Sequence, residues 1–316
     1  MSDSSPPTSA RAALQGLHFF ASNAYSFSAL GYRQRRLLFK PVGNAFEGQR
    51  WLVSGASGGI GRAIALGAAR RGADVLGVAR SADKLSALAG EHDGVDVHRT
   101  DLSLKAEIGS LVEALSAPID VLVNNVGVLL NRWSRTGEGH ETSFATNLLG
   151  HFALTEALLE RGVLSDDAVV INMTSGGMYN VPLSIEQLDG QDASAHDGVM
   201  AYAYQKRAQV VLNQWWRQRH AARALDFYVM HPGWADTEGV RTSLPGFRAL
   251  FSAVLRDADA GADTALWLAA TRPPQRDDGA VWFDRKARPA HSGRATRRSA
   301  DDGDALVAFL NDSLVS

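Results

Sequence analysis

Tyr202 and Lys206 lie four residues apart in a stretch of helical periodicity, which places both side chains on one face about a turn from each other. A free phenol titrates at about 10, so only ~0.1% of it is ionised at neutral pH, and bringing it near 7 takes roughly 4 kcal/mol of preference for the anion. A neighbouring ammonium supplies part of that preference, and such a pair can pass a proton. Tyr-x-x-x-Lys arises by chance in many helices, so its meaning depends on what surrounds it. A second chemical feature is the run Ser54-Gly55-Ala56-Ser57-Gly58-Gly59-Ile60-Gly61. Its glycines permit a tight turn, close approach of a pyrophosphate and close packing of helix on strand, and the helix that follows offers free N–H groups at its start. The run lacks the Gly-Lys-Ser/Thr ending of a triphosphate loop, which disfavours kinase and ATPase chemistry.

These residues need elements to hold them, and the hydrophobic pattern supplies a regular alternation. Short apolar runs at Trp51–Val53, Asp74–Val78, Val95–Arg99, Ile119–Val123, Ala168–Met173 and Leu225–Met230 read as strands. Helical patterns separate them at Arg62–Arg71, Ser81–Leu88, Lys105–Leu115, about His140–Arg161 and Met200–Arg223. Strands joined through helices of this length are parallel, so the expected class is α/β: a doubly wound parallel sheet, Rossmann-type, in a single domain. The glycine run then sits between the first strand and first helix, where a dinucleotide would bind. In such a site an Asp or Glu at the end of the second strand favours NAD by bonding the ribose, but here the strand ends Val78-Ala79-Arg80. A guanidinium would pair instead with a 2′-phosphate, so NADP(H) is expected over NAD(H); an ordinary surface arginine is the alternative.

With 316 residues, 45% of them hydrophobic, the chain can bury one large core. Its 32 basic and 34 acidic residues leave a net charge of −2, with no field to attract nucleic acid. The absence of cysteine excludes thiol nucleophiles and disulfides. The expected organisation is a disordered tail at 1–11, a helical extension at 12–47, the catalytic domain at 48–273, and a C-terminal extension at 274–316 packed on it. For the 12–47 segment two readings stand. Its apolar residues, from Leu14 to Leu30, form either an amphipathic helix packed on the body or an interfacial helix whose Arg33, Arg35, Arg36 and Lys40 approach anionic lipid. Packing is the favoured reading; the cysteine-free chain is expected in the cytoplasm, with peripheral membrane association through this segment as the alternative.

Further motifs follow in order: Asn124-Asn125-Val126-Gly127, Asn147 within Thr146-Asn147-Leu148-Leu149-Gly150, Ser175 after Ile171-Asn172-Met173-Thr174, and Pro232-Gly233 with Thr237. Together with Tyr202 and Lys206 they resemble the short-chain dehydrogenase/reductase family from about Gly48 to Ala270. The resemblance continues through Ser175-Gly176-Gly177-Met178, Gly261-Ala262-Asp263-Thr264 and Asp284-Arg285-Lys286. It implies hydride transfer between a nicotinamide and a carbonyl or alcohol, with Tyr202 as general acid or base, Lys206 lowering its pKa and bonding the ribose, and Ser175 holding the substrate oxygen. Asn147 would position a water linking Lys206 to solvent. Thr174 is a decoy beside Ser175. The cofactor set implied is Gly55, Ser57, Gly58, Gly59, Ile60, Gly61, Arg80, Asp101, Leu102, Asn124, Val126, Gly127, Tyr202, Lys206, Pro232, Gly233 and Thr237. Val126 replaces the alanine usual in this turn and could narrow the cleft.

The 26 residues between Ser175 and Tyr202 form a long loop in which Gln187, Leu188, Asp189 and Asp192 are expected to wall the substrate pocket. Val128, Leu129, Met178, Tyr179, Trp234 and Phe247 are candidate lining for a lipophilic substrate, with plain core packing as the alternative for each. The nine histidines show no metal-binding spacing, and no metal is expected. The basic run Arg285, Lys286, Arg288, Arg294, Arg297 and Arg298 is offset by Asp301, Asp302 and Asp304 and reads as solvated surface. Trp215 and Trp216 cannot both face one core, so one is expected at a subunit or domain contact; the resemblance is compatible with a homodimer through this helix, and a tryptophan covered by the N-terminal segment is the alternative. The competing functional class is a regulatory protein of the same fold that senses the coenzyme without turnover. Retention of Tyr202, Lys206, Ser175 and Asn147 favours the enzyme.

Overall fold

The computed structural model describes residues 24–190, 192–243, 245–274, 280–291, 296 and 302–315. The expected tail at 1–11, residues 12–23 of the extension, Arg294, Arg297, Arg298 and the side chain of Phe247 lie outside the described residues.

Strand patterns of period two decide the layers. In β1 (Arg50–Ser54), Trp51 and Val53 pack into one core while Leu52 packs into the other, and β4 (Ile119–Asn124) repeats this with Val121 and Val123 against Leu122. Strands apolar on both faces must be covered on both sides. One side is covered by α2 (Gly59–Ala69) and α9 (Ala258–Thr271), through residues such as Ile64, Ala68, Ala262 and Leu268. The opposite side is covered by α4 (Lys105–Ala114), α5 (Gly150–Glu160), α6 (Gly198–Arg219) and α10 (Gly303–Val315). The remaining helices are α3 (Ala82–Ala89), α7 (Glu238–Ser243) and α8 (Pro245–Phe251), and the remaining strands are β2 (Asp74–Ala79), β3 (Val95–Arg99), β5 (Leu164–Met173), β6 (Asp226–Met230), β7 (Val281–Phe283) and β8 (Lys286–Arg288). They form one sheet in the order β3-β2-β1-β4-β5-β6-β7-β8, in which only the β7–β8 pair is antiparallel among the described residues. The chain's direction of winding reverses between β1 and β4, and a crevice opens at their carboxyl ends. This is the doubly wound Rossmann-type sheet expected.

Three differences bear on the site. The expected helix from His140 to Arg161 is broken into an α turn at Thr142–Phe144, a π turn at Ala145–Leu149, and α5. Glu141, 1% exposed, accepts from the N–H groups of Ser143 and Phe144 and fixes the start. The expected helix at Met200–Arg223 instead starts at Gly198, where Asp197 caps the N–H groups of Val199 and Met200, and ends at Arg219. Beyond the last expected strand the chain adds β7 and β8, each of three residues, too short to show a period. Their two-residue turn, Asp284-Arg285, has φ of 48 and 58 degrees, a hairpin geometry in which Asp is usual at the first position and Arg285 stands where Gly ordinarily does.

Both tryptophans have partners within the chain. Trp216 is buried and bonds Glu156 (2.6 Å), while Trp215 bonds Asp304 of α10 (2.7 Å) and packs on Gly303. Before β1, helix α1 (Ala29–Arg36) lies on the body, burying Tyr32, with Phe27 buried just ahead of it. No described helix is long and apolar enough to cross a membrane.

Candidate active site

The proton-handling residues converge above the end of β5. Thr174 and Ser175 follow this strand, and their hydroxyls go in different directions. Thr174 is buried and donates to the Lys206 carbonyl on α6 (2.8 Å), whereas the Ser175 hydroxyl bonds the Tyr202 phenol. The decoy is therefore spent on packing. Burial raises the pKa of Tyr202 above its usual value, and the Ser175 bond opposes that rise. Lys206 lies beneath, its Nζ 5.4 Å from the Tyr202 ring centre and 2% of the residue exposed. Desolvation lowers its pKa to about 7. The Lys206 ammonium donates to Met173 O (2.8 Å) and Gln209 Oε1 (3.1 Å).

The π turn explains how Asn147 enters the site. Its wider winding releases backbone carbonyls from the helical ladder. Asn147 O accepts from Gln209 Nε2 (2.6 Å), whose amide also meets His151 Nδ1 (2.7 Å). Gln209 thus joins the Asn147 carbonyl to the Lys206 ammonium. The Asn147 amide is itself locked, with Oδ1 accepting from Val128 N (2.7 Å) and Nδ2 donating to Val128 O and Gln205 Oε1 (2.8 Å each). Gln205 continues to Ser143 (3.0 Å). His151 is held neutral at a pKa of about 3 by burial and by the charge of Lys206.

The crevice at the ends of β1 and β4 fits a dinucleotide. Gly55 and Gly59 have φ of 68 and 53 degrees, which side chains rarely adopt, and a Cβ on Gly61 would stand 2.2 Å from Gly55 O. A Cβ on Gly58 would meet nothing within 4 Å, so space lies open where the helix N-terminus points. Thr237 faces Gly59 across this space, 3.3 Å from where a Cβ on Gly59 would stand. Ile60 instead packs on Gly261, and Ser57 is part-buried in the turn. Gly127 is exposed directly above Lys206, where a Cβ would come within 3.4 Å of Nζ. Pro232 and Gly233 follow the end of β6, Gly233 part-buried, and Val126 presses against Gly55. At the far end Arg80 is 55% exposed, and its guanidinium stands 3.8 Å from Asp101, which also accepts from Ser103.

Several expected positions lie elsewhere. Asn124 is fully buried, donating to Thr155 and Asn172 (2.9 Å each), so it ties β4 to β5 and α5 below the crevice floor. Its neighbour Asn125 is the one that reaches the glycine turn, donating to Ser54 O (2.8 Å). Leu102 is in the core, its carbonyl against Gly150. Met178 and Trp234 are also buried, Trp234 among Phe27, Leu255 and Phe283, and the Tyr179 hydroxyl bonds Pro289 O (3.2 Å). Val128 and Leu129 stay part-exposed beside Gly127. In the long loop, Leu188 is core, Asp189 bonds His140 (3.0 Å) and Glu141 N (2.9 Å) and so braces the start of the π turn, and Gln187 and Asp192 are exposed. Sequence reasoning missed Gln205, Gln209, His151, Ser54 and Asn125. Only the Lys206–Gln209 spacing of three, on the same helical face as Tyr202, offered any signal.

The family model for short chain dehydrogenase matches residues 49–186. The chain is similar to dehydrogenase/reductase SDR family member 12 of Bos taurus, 36% identical over 93% of this chain and 96% of that protein. It is also similar to retinol dehydrogenase 12 of Mus musculus, 31% identical over 79% of this chain and 82% of that one. Among solved structures, the Pseudomonas aeruginosa RhlG/NADP active-site complex superposes with a TM-score of 0.60 at 25% identity, over 77% of this chain and 96% of that chain.

Proposed function

We propose, from the premise that this chain belongs to the short-chain dehydrogenase/reductase family and is an NAD(P)-dependent oxidoreductase acting on CH–OH or C=O groups, that it reduces lipophilic carbonyls with NADPH through Asn147, Ser175, Tyr202 and Lys206. The observation that carries the reading is the Ser175–Tyr202 hydrogen bond above a buried Lys206, beside the exposed Gly127. When bound, the coenzyme supplies the hydride. The Ser175 hydroxyl donates to the substrate oxygen and supports the charge that gathers there, while Tyr202 delivers its proton to that oxygen. Burial raises the phenol's pKa, so Tyr202 carries the proton that reduction requires. Lys206 and Gln209 hold the floor beneath Tyr202 and fix Asn147.

The preference for NADP(H) over NAD(H) is inferred from Arg80 at the end of β2, with Asp101 beside it to orient the guanidinium. The structurally similar RhlG is an NADP complex, which accords with this preference. The lipophilic substrate is inferred from Val128 and Leu129 at the mouth and from the similarity to a retinol dehydrogenase. NADPH consumption is to be followed with aldehydes, ketones, quinones, retinoids and steroids, alongside Tyr202→Phe. Turnover by the full chain alone supports the assignment. NADPH binding with no turnover above that of the variant would favour a coenzyme sensor.

A further inference from the structure

One buried guanidinium joins the segment before β1 to the turn that follows β6. Arg256 is 1% exposed and lies just ahead of α9. Its Nε donates to Phe27 O (2.8 Å) and its Nη2 to Ser26 O (3.0 Å), both in the N-terminal segment. Its Nη1 donates to Pro232 O (3.3 Å), and the two Nη groups make a two-pronged pair with Asp284 (2.6 and 3.0 Å). Arg35 of α1 donates through Nε to Oδ2 of the same carboxylate (2.6 Å).

The backbone continues the connection. Trp234 N donates to Phe27 O (3.0 Å), Arg256 N to Trp234 O (2.7 Å), and Asp236 N to Arg256 O (2.9 Å). Gly233, at φ 81 degrees, leaves no room for a Cβ, which would stand 2.3 Å from Arg256 Nε. The guanidinium therefore lies flat against the stretch that leads to Thr237. Asp284 stands in the β7–β8 turn at φ 48 degrees, a left-handed conformation that Asp tolerates, and its carboxylate is buried. An apolar core would not need two cations on one buried carboxylate, since desolvating them is costly unless every group is paired. Here the pairing reaches three separate parts of the chain.

We propose that Arg256, held by Asp284 and Arg35, is a positioning residue that sets the 232–237 turn against the nicotinamide half of the coenzyme, making α1 a working part of the coenzyme site. This rests on the NADP(H) reading above. A merely structural clamp would weaken all binding, whereas a clamp on this turn affects the nicotinamide half and spares the adenosine half held near Arg80.

The test is the affinity of four proteins, the full chain, a chain beginning at Phe39, Arg35→Met and Arg256→Lys, for NADPH and for adenosine 2′,5′-bisphosphate, which lacks the nicotinamide. The shortened chain and Arg256→Lys are expected to bind NADPH about tenfold more weakly, ~1.4 kcal/mol, and Arg35→Met about threefold, with the bisphosphate changed less than about twofold. Arg35→Met keeps the proposal falsifiable should either of the others fail to fold, because Arg35 is part-exposed. Unchanged NADPH affinity in the variants, or equal loss for both ligands, overturns the clamp while leaving the coenzyme reading intact. A full chain that binds neither ligand overturns the coenzyme reading and this proposal with it.

Discussion

Thr174 and Ser175 carry neighbouring hydroxyls of similar chemistry, and replacing each should separate packing from catalysis. Thr174→Val is close to isosteric and removes only the bond to the Lys206 carbonyl, at 2.8 Å in a fully packed setting. One such bond is worth about 1 kcal/mol, and for a chain of this size that lowers Tm by about 2 °C. Turnover should stay within about twofold. Ser175→Ala removes the hydroxyl that bonds Tyr202 and reaches the substrate oxygen, so kcat should fall by about 10²–10³, ~3–4 kcal/mol of transition-state stabilisation, with Tm nearly unchanged. Steady-state NADPH consumption and thermal unfolding by circular dichroism read the two effects separately. Loss of turnover in Thr174→Val to the extent seen in Ser175→Ala would refute the division of roles. So would a Ser175→Ala protein that keeps full kcat.

Other consequences are equally specific. His151 and His231 are both held neutral, with folded pKa values of about 3 against ~6.5 when unfolded, so the unfolded chain takes up more protons as pH falls below about 6.5. Stability is full above about pH 7 and is lost on acidification toward the folded value; by pH 5 the pair should cost on the order of 4 kcal/mol, visible as a lower urea midpoint, and equal midpoints at pH 7.5 and 5 would contradict it. Arg80→Asp should shift the NADPH-to-NADH affinity ratio by about tenfold toward NADH, measured by nucleotide fluorescence, and an unchanged ratio removes the basis for the NADP(H) preference. Gly61→Ala places a methyl where Gly55 O lies 2.2 Å away, so α2 must move; a loss of about 1–3 kcal/mol in stability together with loss of coenzyme binding is expected, and a variant that binds normally would argue against this packing.

The sheet and the Tyr202–Lys206 pair were legible because their signals are local: alternation along Trp51–Val53, glycines between strand and helix, and a spacing of four. The π turn at Ala145–Leu149 was not, since Ala-Thr-Asn-Leu-Leu carries no break in helical pattern and its widening depends on contacts from Gln209 and Gln205. The choice of Ser175 over Thr174 depended on resemblance, and the physical reason is tertiary, the Lys206 carbonyl lying over Thr174. Apolar residues near the motifs misled where burial decides: Met178 and Trp234 are core because Val210 and Phe27 pack on them, which no spacing announces. The same holds for Asn124 and Asn125, adjacent and identical, one beneath the crevice and one beside it. Arg285 read as solvated surface, yet it pairs with Asp263 of α9, a partner distant in sequence.

The most direct measurement follows deuterium from C4 of labelled NADPH into the alcohol carbon of a reduced lipophilic ketone or aldehyde, by mass spectrometry, for the full chain and for Tyr202→Phe. Label is expected in the product of the full chain, at a rate more than about a hundredfold above that of Tyr202→Phe, while both proteins bind NADPH equally. Equal rates of label transfer, or NADPH binding by the full chain without transfer to any carbonyl tested, would contradict the assignment of Tyr202 as the acid of a working reductase.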